Sequence, residues 1–155
     1  MDKYNLFFTR TIYNVVRLEH FLLLVALSIL VLMHWGEVNW LRFVIAFASS
    51  DVIGTFPALY WYYKRSTGSN HAIPHGFYLA YNLGHSFVVV GVLTACWYLA
   101  TRQWEWAMLA MPIHLLGDRS IFGNIYKSPR LEFEPVPIPA FHQFLQEFES
   151  QGERS

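Results

Sequence analysis

The chain has 155 residues, of which 54% are hydrophobic and only 14% are charged, and its 11 basic residues balance its 11 acidic ones. A soluble domain carries about a quarter charged residues, so this composition is too apolar for a water-exposed surface and excludes a disordered chain or a basic nucleic-acid binder. The single Cys96 excludes a disulfide framework and a zinc site built from cysteines. The length allows one domain, and the composition predicts an all-α integral membrane protein.

Four long apolar stretches predict four transmembrane helices, since each is long enough to cross a hydrocarbon core that needs about 20 helical residues. They run over residues 15–35, 40–63, 76–100 and 104–126. The breaks between them hold polar and turn-forming residues, including Gly36 and the segment 64–70. Because the connections are short, neighbouring helices are expected to be antiparallel, and residues 1–128 are predicted to form a four-helix bundle in the bilayer.

The basic residues predict the orientation, because Lys and Arg accumulate on the cytoplasmic side of membrane proteins. The N-terminal segment, the second loop and the C-terminal tail hold most of them, while the other two loops hold only Arg42 and Arg102. Both termini are therefore expected to be cytoplasmic. The residues on the predicted cytoplasmic side are Lys3, Arg10, Arg17, Lys64, Arg65, Lys127 and Arg130.

Residues 129–155 differ in composition and are predicted to form a cytoplasmic tail outside the bundle. Four prolines between positions 129 and 139 alternate with acidic residues, which is typical of an extended linker. Apolar residues then follow the spacing of one helical face at Phe141, Phe144, Leu145 and Phe148. That spacing predicts a short amphipathic helix that rests on the membrane or on the bundle, or acts as a lid over a cytoplasmic opening.

Ionisable residues inside the predicted helices point to a functional site. A charged side chain inside a bilayer costs a few kcal/mol on insertion scales and usually faces a cavity. Each of the four predicted helices contributes such a group to the cytoplasmic half of the bundle, and His114 and Asp118 share one helix face because they are four residues apart. The residues concerned are Glu19, Asp51, His85, His114, Asp118 and Arg119.

These side chains have an excess of negative charge, because three carboxylates face one clear cation, Arg119. A divalent metal ion would balance that charge, and carboxylate plus imidazole ligands suit zinc, iron or manganese. The ligands in this hypothesis are Asp51, His85, His114 and Asp118. Glu19 would be a further ligand or a general base, and Arg119 would orient Asp118 or hold an anionic group of a substrate. Alternatively, one or two carboxylates stay protonated in the apolar interior and act as general acids.

Three functions are compatible with this site. The leading hypothesis is a metal-dependent membrane enzyme that acts on a lipophilic small molecule reached from the cytoplasmic leaflet. The second is a metal-free isomerase or cyclase of an isoprenoid-like substrate, in which an aspartic acid and a histidine move protons and the rings of Trp61, Tyr78 and Tyr81 stabilise a cation. The third is an ion-conducting or structural membrane subunit, which would require a homo-oligomer because four helices barely enclose a path.

Each predicted helix carries one short motif. The motifs are Glu19 in the first helix, Asp51 in the second, Tyr81-Asn82-Leu83-Gly84-His85 in the third and His114-Leu115-Leu116-Gly117-Asp118-Arg119 in the fourth. Together they resemble a family of small four-helix bacterial membrane proteins catalogued as a domain of unknown function. The likeness covers residues 15–128 and implies the four-helix fold, a bacterial inner-membrane location and a common site that includes Asn82. It implies no particular reaction.

Overall fold

The computed structural model describes residues 10–65, 73–135 and 138–152, and within these ranges the regular structure is helical, with no β-strand. Six helices follow one another within the described ranges. They are α1 (Arg10–Met33), α2 (Trp40–Lys64), α3 (His75–Gly84), α4 (Phe87–Thr101), α5 (Ala110–Gly117) and α6 (Pro139–Gly152). Lys3 and most of the predicted second loop lie outside the described residues.

Among the described residues, two helices, α1 and α2, are long and apolar enough to cross a membrane, and α3 with α4, bent by 60° at their break, is either a third, broken span or a re-entrant loop. These spans confirm an all-α protein with candidate membrane-crossing helices. The fourth predicted helix is made of three shorter pieces, which are a 3₁₀ turn over Trp106–Leu109, then α5, then a π turn over Asp118–Phe122. A bundle with four spanning helices therefore stays a prediction.

Helix α2 is interrupted by a π turn over Asp51–Thr55, at whose end the N–H of Phe56 donates to the carbonyl of Asp51, five residues earlier. Pro57 explains the wider turn, because its ring would crowd the carbonyl four residues before it in a regular α-helix. Such π turns occur frequently at functional sites. The irregularity therefore marks the position of Asp51 within an otherwise continuous helix.

The π turn after α5 ends at Gly123, whose φ of 74° lies in the left-handed region that favours glycine. Arg17 of α1 binds this turn, since its Nε donates to the Ser120 carbonyl at 2.8 Å and its Nη2 to the Ile121 carbonyl at 2.9 Å. These carbonyls stand at the end of a helix and lack partners further along it. Arg17 thus attaches α1 to the segment that carries Asp118.

Helices α2 and α3 approach each other closely at Gly54. A Cβ added there would lie 2.9 Å from the Cα of Tyr81 and 3.3 Å from the carbonyl oxygen of Ala80. Only a residue without a side chain fits between the two backbones. The contact holds Asp51 of α2 near His85, which directly follows α3.

Alanine at position 54 is therefore expected to lower the free energy of unfolding by about 1–3 kcal/mol, the usual cost of an extra methyl group in a packed interior. Gly91→Ala is the matched control, because a Cβ there would meet nothing within 4 Å. That variant should be as stable as the parent or slightly more stable. Unfolding in mixed detergent micelles would compare the two, and equal stability of both variants would disprove the close contact.

Buried side chains of the described residues form three clusters between the helices. The tyrosine cluster comprises Ala58, Tyr62, Ile73, Tyr78, Tyr81 and Phe133. The central cluster comprises Ala46, Val90, Ala110, Met111 and Leu115, and the third comprises Val31, Val38 and Ile113. In α2, Asp51 lies between Ala46 of the central cluster and Ala58 of the tyrosine cluster. The candidate site therefore lies between these two apolar regions.

Residues 124–135, termed the strap here, contact α3. Phe133 is fully buried, with its ring 5.6 Å from that of Tyr78 and 5.5 Å from that of Tyr81. The Tyr78 hydroxyl donates to the carbonyl of Leu131 at 2.8 Å. An extended linker is predicted from residue 129, and in the structure this segment is anchored to the helices at Phe133, whose side chain joins the tyrosine cluster while residues 134 and 135 are exposed.

The amphipathic helix predicted near the C-terminus is present as α6. It begins at Pro139, a residue that suits the first turn because no N–H is needed there. The predicted apolar face is partly exposed, and Phe141 has 48% of its surface accessible. The role of α6 as a lid or a membrane-surface helix stays a prediction.

Candidate metal centre

Helix irregularities bring four ionisable side chains together. Asp51 stands in the π turn of α2, His85 in the break between α3 and α4, and His114 and Asp118 in α5 and the π turn that follows it. His85 Nε2 lies 3.1 Å from Asp118 Oδ2 and 3.7 Å from Asp51 Oδ1. His114 Nε2 lies 3.5 Å from Asp118 Oδ2 and 3.8 Å from Asp51 Oδ2. The four predicted metal ligands thus converge.

The two imidazoles are buried and the two carboxylates are partly accessible. The side chains of His85 and His114 are 3% and 5% exposed, whereas those of Asp51 and Asp118 are 29% and 16% exposed. Neither histidine Nε2 has a hydrogen-bond partner in the part of the chain that the structure describes. Because buried polar atoms are normally paired, these two unpaired nitrogens suit an ion or a ligand. It would reach them from the side of the two carboxylates, which are the accessible part of the site.

The orientation of His85 is fixed by its neighbour one helical turn earlier. His85 Nδ1 lies 2.9 Å from the carbonyl oxygen of Tyr81, which only accepts hydrogen bonds, so Nδ1 carries a proton, and in the neutral imidazole the lone pair is then on Nε2. The Tyr81 ring also stacks on His85 with a centroid distance of 4.0 Å. A histidine that donates its second N–H to a carbonyl is the usual arrangement of a metal ligand.

The separations between the side chains match the size of a metal site. Asp51, His85 and His114 each offer one ligand atom, and these atoms all lie within 4.8 Å of one another. In a tetrahedral zinc site with bonds of about 2.0–2.1 Å, neighbouring ligand atoms are about 3.3 Å apart. Within this group, an Asp51 oxygen lies 3.7 Å from His85 Nε2 and another lies 3.8 Å from His114 Nε2, within about 0.5 Å of that value. This group could therefore hold a metal ion.

Two of the other predicted site residues lie apart from this group. Glu19 is exposed on α1 and makes no hydrogen bond or ion pair with any residue that the structure describes. Asn82 binds the strap, since its Nδ2 donates to the Lys127 carbonyl at 2.9 Å and its Oδ1 accepts from the Lys127 N–H at 2.8 Å. These two hydrogen bonds anchor the strap to α3.

Arg119 contacts the backbone of His85. Its Nη2 donates to the His85 carbonyl and to the Tyr126 hydroxyl, both at 3.2 Å. The guanidinium lies over the ring of Phe87, 4.3 Å from the centroid. It makes no ion pair with Asp118 or another described carboxylate, so the orienting contact to Asp118 predicted from the sequence is not seen. Arg119 instead supplies a donor to the carbonyl that the helix break leaves unpaired.

Three aromatic residues, Trp61, Tyr78 and Tyr81, are predicted to line the site. Of these, Tyr81 contacts a site residue, because its ring stacks on that of His85. The Tyr78 hydroxyl binds the strap, and Trp61 lies against Phe77 with ring centroids 5.5 Å apart.

Thr55 also lies near the site, although the sequence analysis does not name it. Its Oγ1 is buried without a hydrogen-bond partner in the described part of the chain, and its position four residues after Asp51 is the signal that could have revealed it.

Comparison with protein-family models, curated proteins and solved structures found no match for this chain. The resemblance to a bacterial membrane family therefore stays a prediction. A function has to be inferred from the geometry of the side chains themselves.

Proposed function

We propose that the protein is a metal-dependent enzyme of the membrane, in which Asp51, His85 and His114 bind one divalent ion. The observation that supports this most strongly is the pair of buried Nε2 atoms without hydrogen-bond partners among the described residues, each within 3.1–3.8 Å of two carboxylate oxygens. A lone pair on a neutral imidazole repels a carboxylate unless a proton or a metal ion lies between them. The donor set of two nitrogens and a carboxylate suits zinc, iron or manganese.

Three protein ligands leave a coordination position open, as in catalytic zinc sites. A metal ion in this position polarises a substrate oxygen or activates a bound water. Asp118 lies beside the ligands, 3.1 Å from His85 Nε2 and 3.5 Å from His114 Nε2. We assign to it the role of accepting a proton from a metal-bound water, or of a fourth ligand when no substrate is bound.

The surroundings of the site favour a lipophilic substrate. The Phe47 ring stands edge-on to His114 with centroids 4.8 Å apart, and 40% of the Phe47 surface is exposed on α2, one of the two long apolar helices. A molecule dissolved in the bilayer would meet this ring at the edge of the metal centre. The proposed arrangement is a four-helix membrane bundle with cytoplasmic termini, in a bacterial inner membrane, that takes its substrate from the cytoplasmic leaflet.

Elemental analysis of the purified full chain tests the proposal. The parent protein is expected to carry close to one equivalent of zinc, iron or manganese, and Asp51→Asn is expected to lose it because the variant lacks the charged ligand. Glu19→Gln is the control, since Glu19 lies apart from the site and its loss should leave the metal content unchanged. A parent protein that folds without metal would refute the metal centre and would favour the acid–base hypothesis instead.

A further inference from the structure

We propose that Arg119 binds the anionic head group of the substrate, which assigns the substrate to lipophilic molecules that carry a phosphate or a carboxylate. This inference rests on the proposed metal centre, because the head group is placed beside the ion. It adds a substrate class, which the metal ligands alone do not define.

Arg119 has hydrogen-bonding capacity that the protein does not use. A guanidinium has five N–H donors, and both described hydrogen bonds of Arg119 come from Nη2, to the His85 carbonyl and the Tyr126 hydroxyl. Its Nε and Nη1 donors have no partner among the described residues, and no described carboxylate pairs with its charge. A half-buried guanidinium whose charge has no carboxylate partner among the described residues is costly unless a ligand supplies that partner.

The neighbouring Arg17 shows the contrast. Arg17 donates hydrogen bonds from both its Nε and its Nη2 to backbone carbonyls of the π turn. The Nε–Nη2 edge of its guanidinium is therefore not free to bind a ligand. The Arg119 guanidinium instead contacts two rings, with its Cζ 4.3 Å from the centroid of Phe87 and 5.3 Å from that of Tyr126. A guanidinium that is held by such contacts and keeps donors free suits the two-point binding of a phosphate or carboxylate.

The charge balance of the occupied site also favours an anion. A divalent ion contributes two positive charges, Asp51 and Asp118 contribute two negative charges, and Arg119 adds one positive charge, so the sum is one positive charge. An anionic head group neutralises that charge. Because Arg119 binds the carbonyl of His85, a head group on its free donors lies next to a residue that binds the metal.

Lipid binding by the full chain in neutral detergent, with the metal content measured on the same samples, tests this inference. The probes are dioleoylphosphatidate, oleate and inorganic phosphate, and phosphatidylcholine serves as the zwitterionic reference. The parent protein should bind phosphatidate or oleate in preference to phosphatidylcholine. Arg119→Gln should weaken that binding roughly 10- to 100-fold, the range for loss of charge-assisted hydrogen bonds, while Arg119→Lys should retain part of it.

Arg65→Gln is the matched control, because it removes the same charge from an exposed position at the end of α2. If Arg119→Gln and Arg65→Gln weakened the binding of the anionic lipid equally, the binding would reflect a general attraction to surface charge. That result would overturn the inference. A parent protein without preference for an anionic lipid would also overturn it, whatever the variants do. Tight binding of inorganic phosphate with no gain from acyl chains would exclude a lipid substrate. Anion binding at Arg119 in a metal-free parent would refute the metal centre and leave the role of Arg119 standing.

Discussion

His85→Ala is expected to weaken metal binding by about 100-fold or more while the helices stay formed. Loss of a residue that only supports a metal ligand typically costs 10- to 100-fold in affinity, and His85 is proposed to be a ligand itself. The side chain is 3% exposed, and its Nε2 faces both carboxylates of the site. His114→Ala should have a similar effect, because His114 Nε2 faces the same two carboxylates.

His34→Ala is the matched control for both variants. In the parent protein, His34 Nδ1 lies 2.9 Å from the Leu30 carbonyl, one helical turn earlier. This is the same local contact that His85 makes with Tyr81. His34 follows α1, and its ring stacks on Trp106, away from the four side chains of the metal centre. Competition against a chromogenic chelator would measure the affinities, and circular dichroism would confirm the helices. Unchanged affinity in His85→Ala would exclude His85 as a ligand.

Phe133→Ala is expected to lower the free energy of unfolding by about 3–5 kcal/mol, the usual cost of emptying the site of a buried phenyl ring. The ring is fully buried between the rings of Tyr78 and Tyr81, so little space is available for the cluster to close around a smaller residue. Because Tyr81 also stacks on His85, the variant should weaken metal binding as well.

Phe141→Ala is the control for this effect, since the same truncation on the exposed part of α6 should change stability by less than about 0.5 kcal/mol. Both variants are compared by unfolding in mixed micelles, followed by metal titration of the folded protein. If Phe133→Ala were as stable as Phe141→Ala, the strap would not be part of the folded core.

The positions of α1 and α2 follow from the sequence, because an apolar stretch of sufficient length has few alternatives to a helix. The break after Gly84 was not predicted, since no proline marks it. It depends on contacts between distant parts of the chain, including the hydrogen bond from Arg119 to the His85 carbonyl. The burial of Phe133 was missed for a related reason, because a single aromatic residue among prolines has no periodicity to detect.

The four converging residues could be predicted because an ionisable side chain inside an apolar helix is costly and requires partners. The neighbouring residues could not be assigned in the same way. Asn82 would share a face with His85 in a continuous helix, but the chain leaves the helix at His85, and Asn82 binds the strap. Arg119 follows Asp118 directly, so the helical rotation of about 100° per residue directs it elsewhere.

X-ray absorption spectroscopy at the edge of the metal that copurifies with the full chain tests the proposed metal centre. We expect a first coordination shell of nitrogen and oxygen only, at about 2.0–2.1 Å for zinc, with outer scattering from two imidazole rings. In His114→Ala reloaded with metal, the contribution of one ring should disappear. A sulfur ligand, a spectrum without imidazole scattering, or a folded protein without metal would contradict the proposed centre.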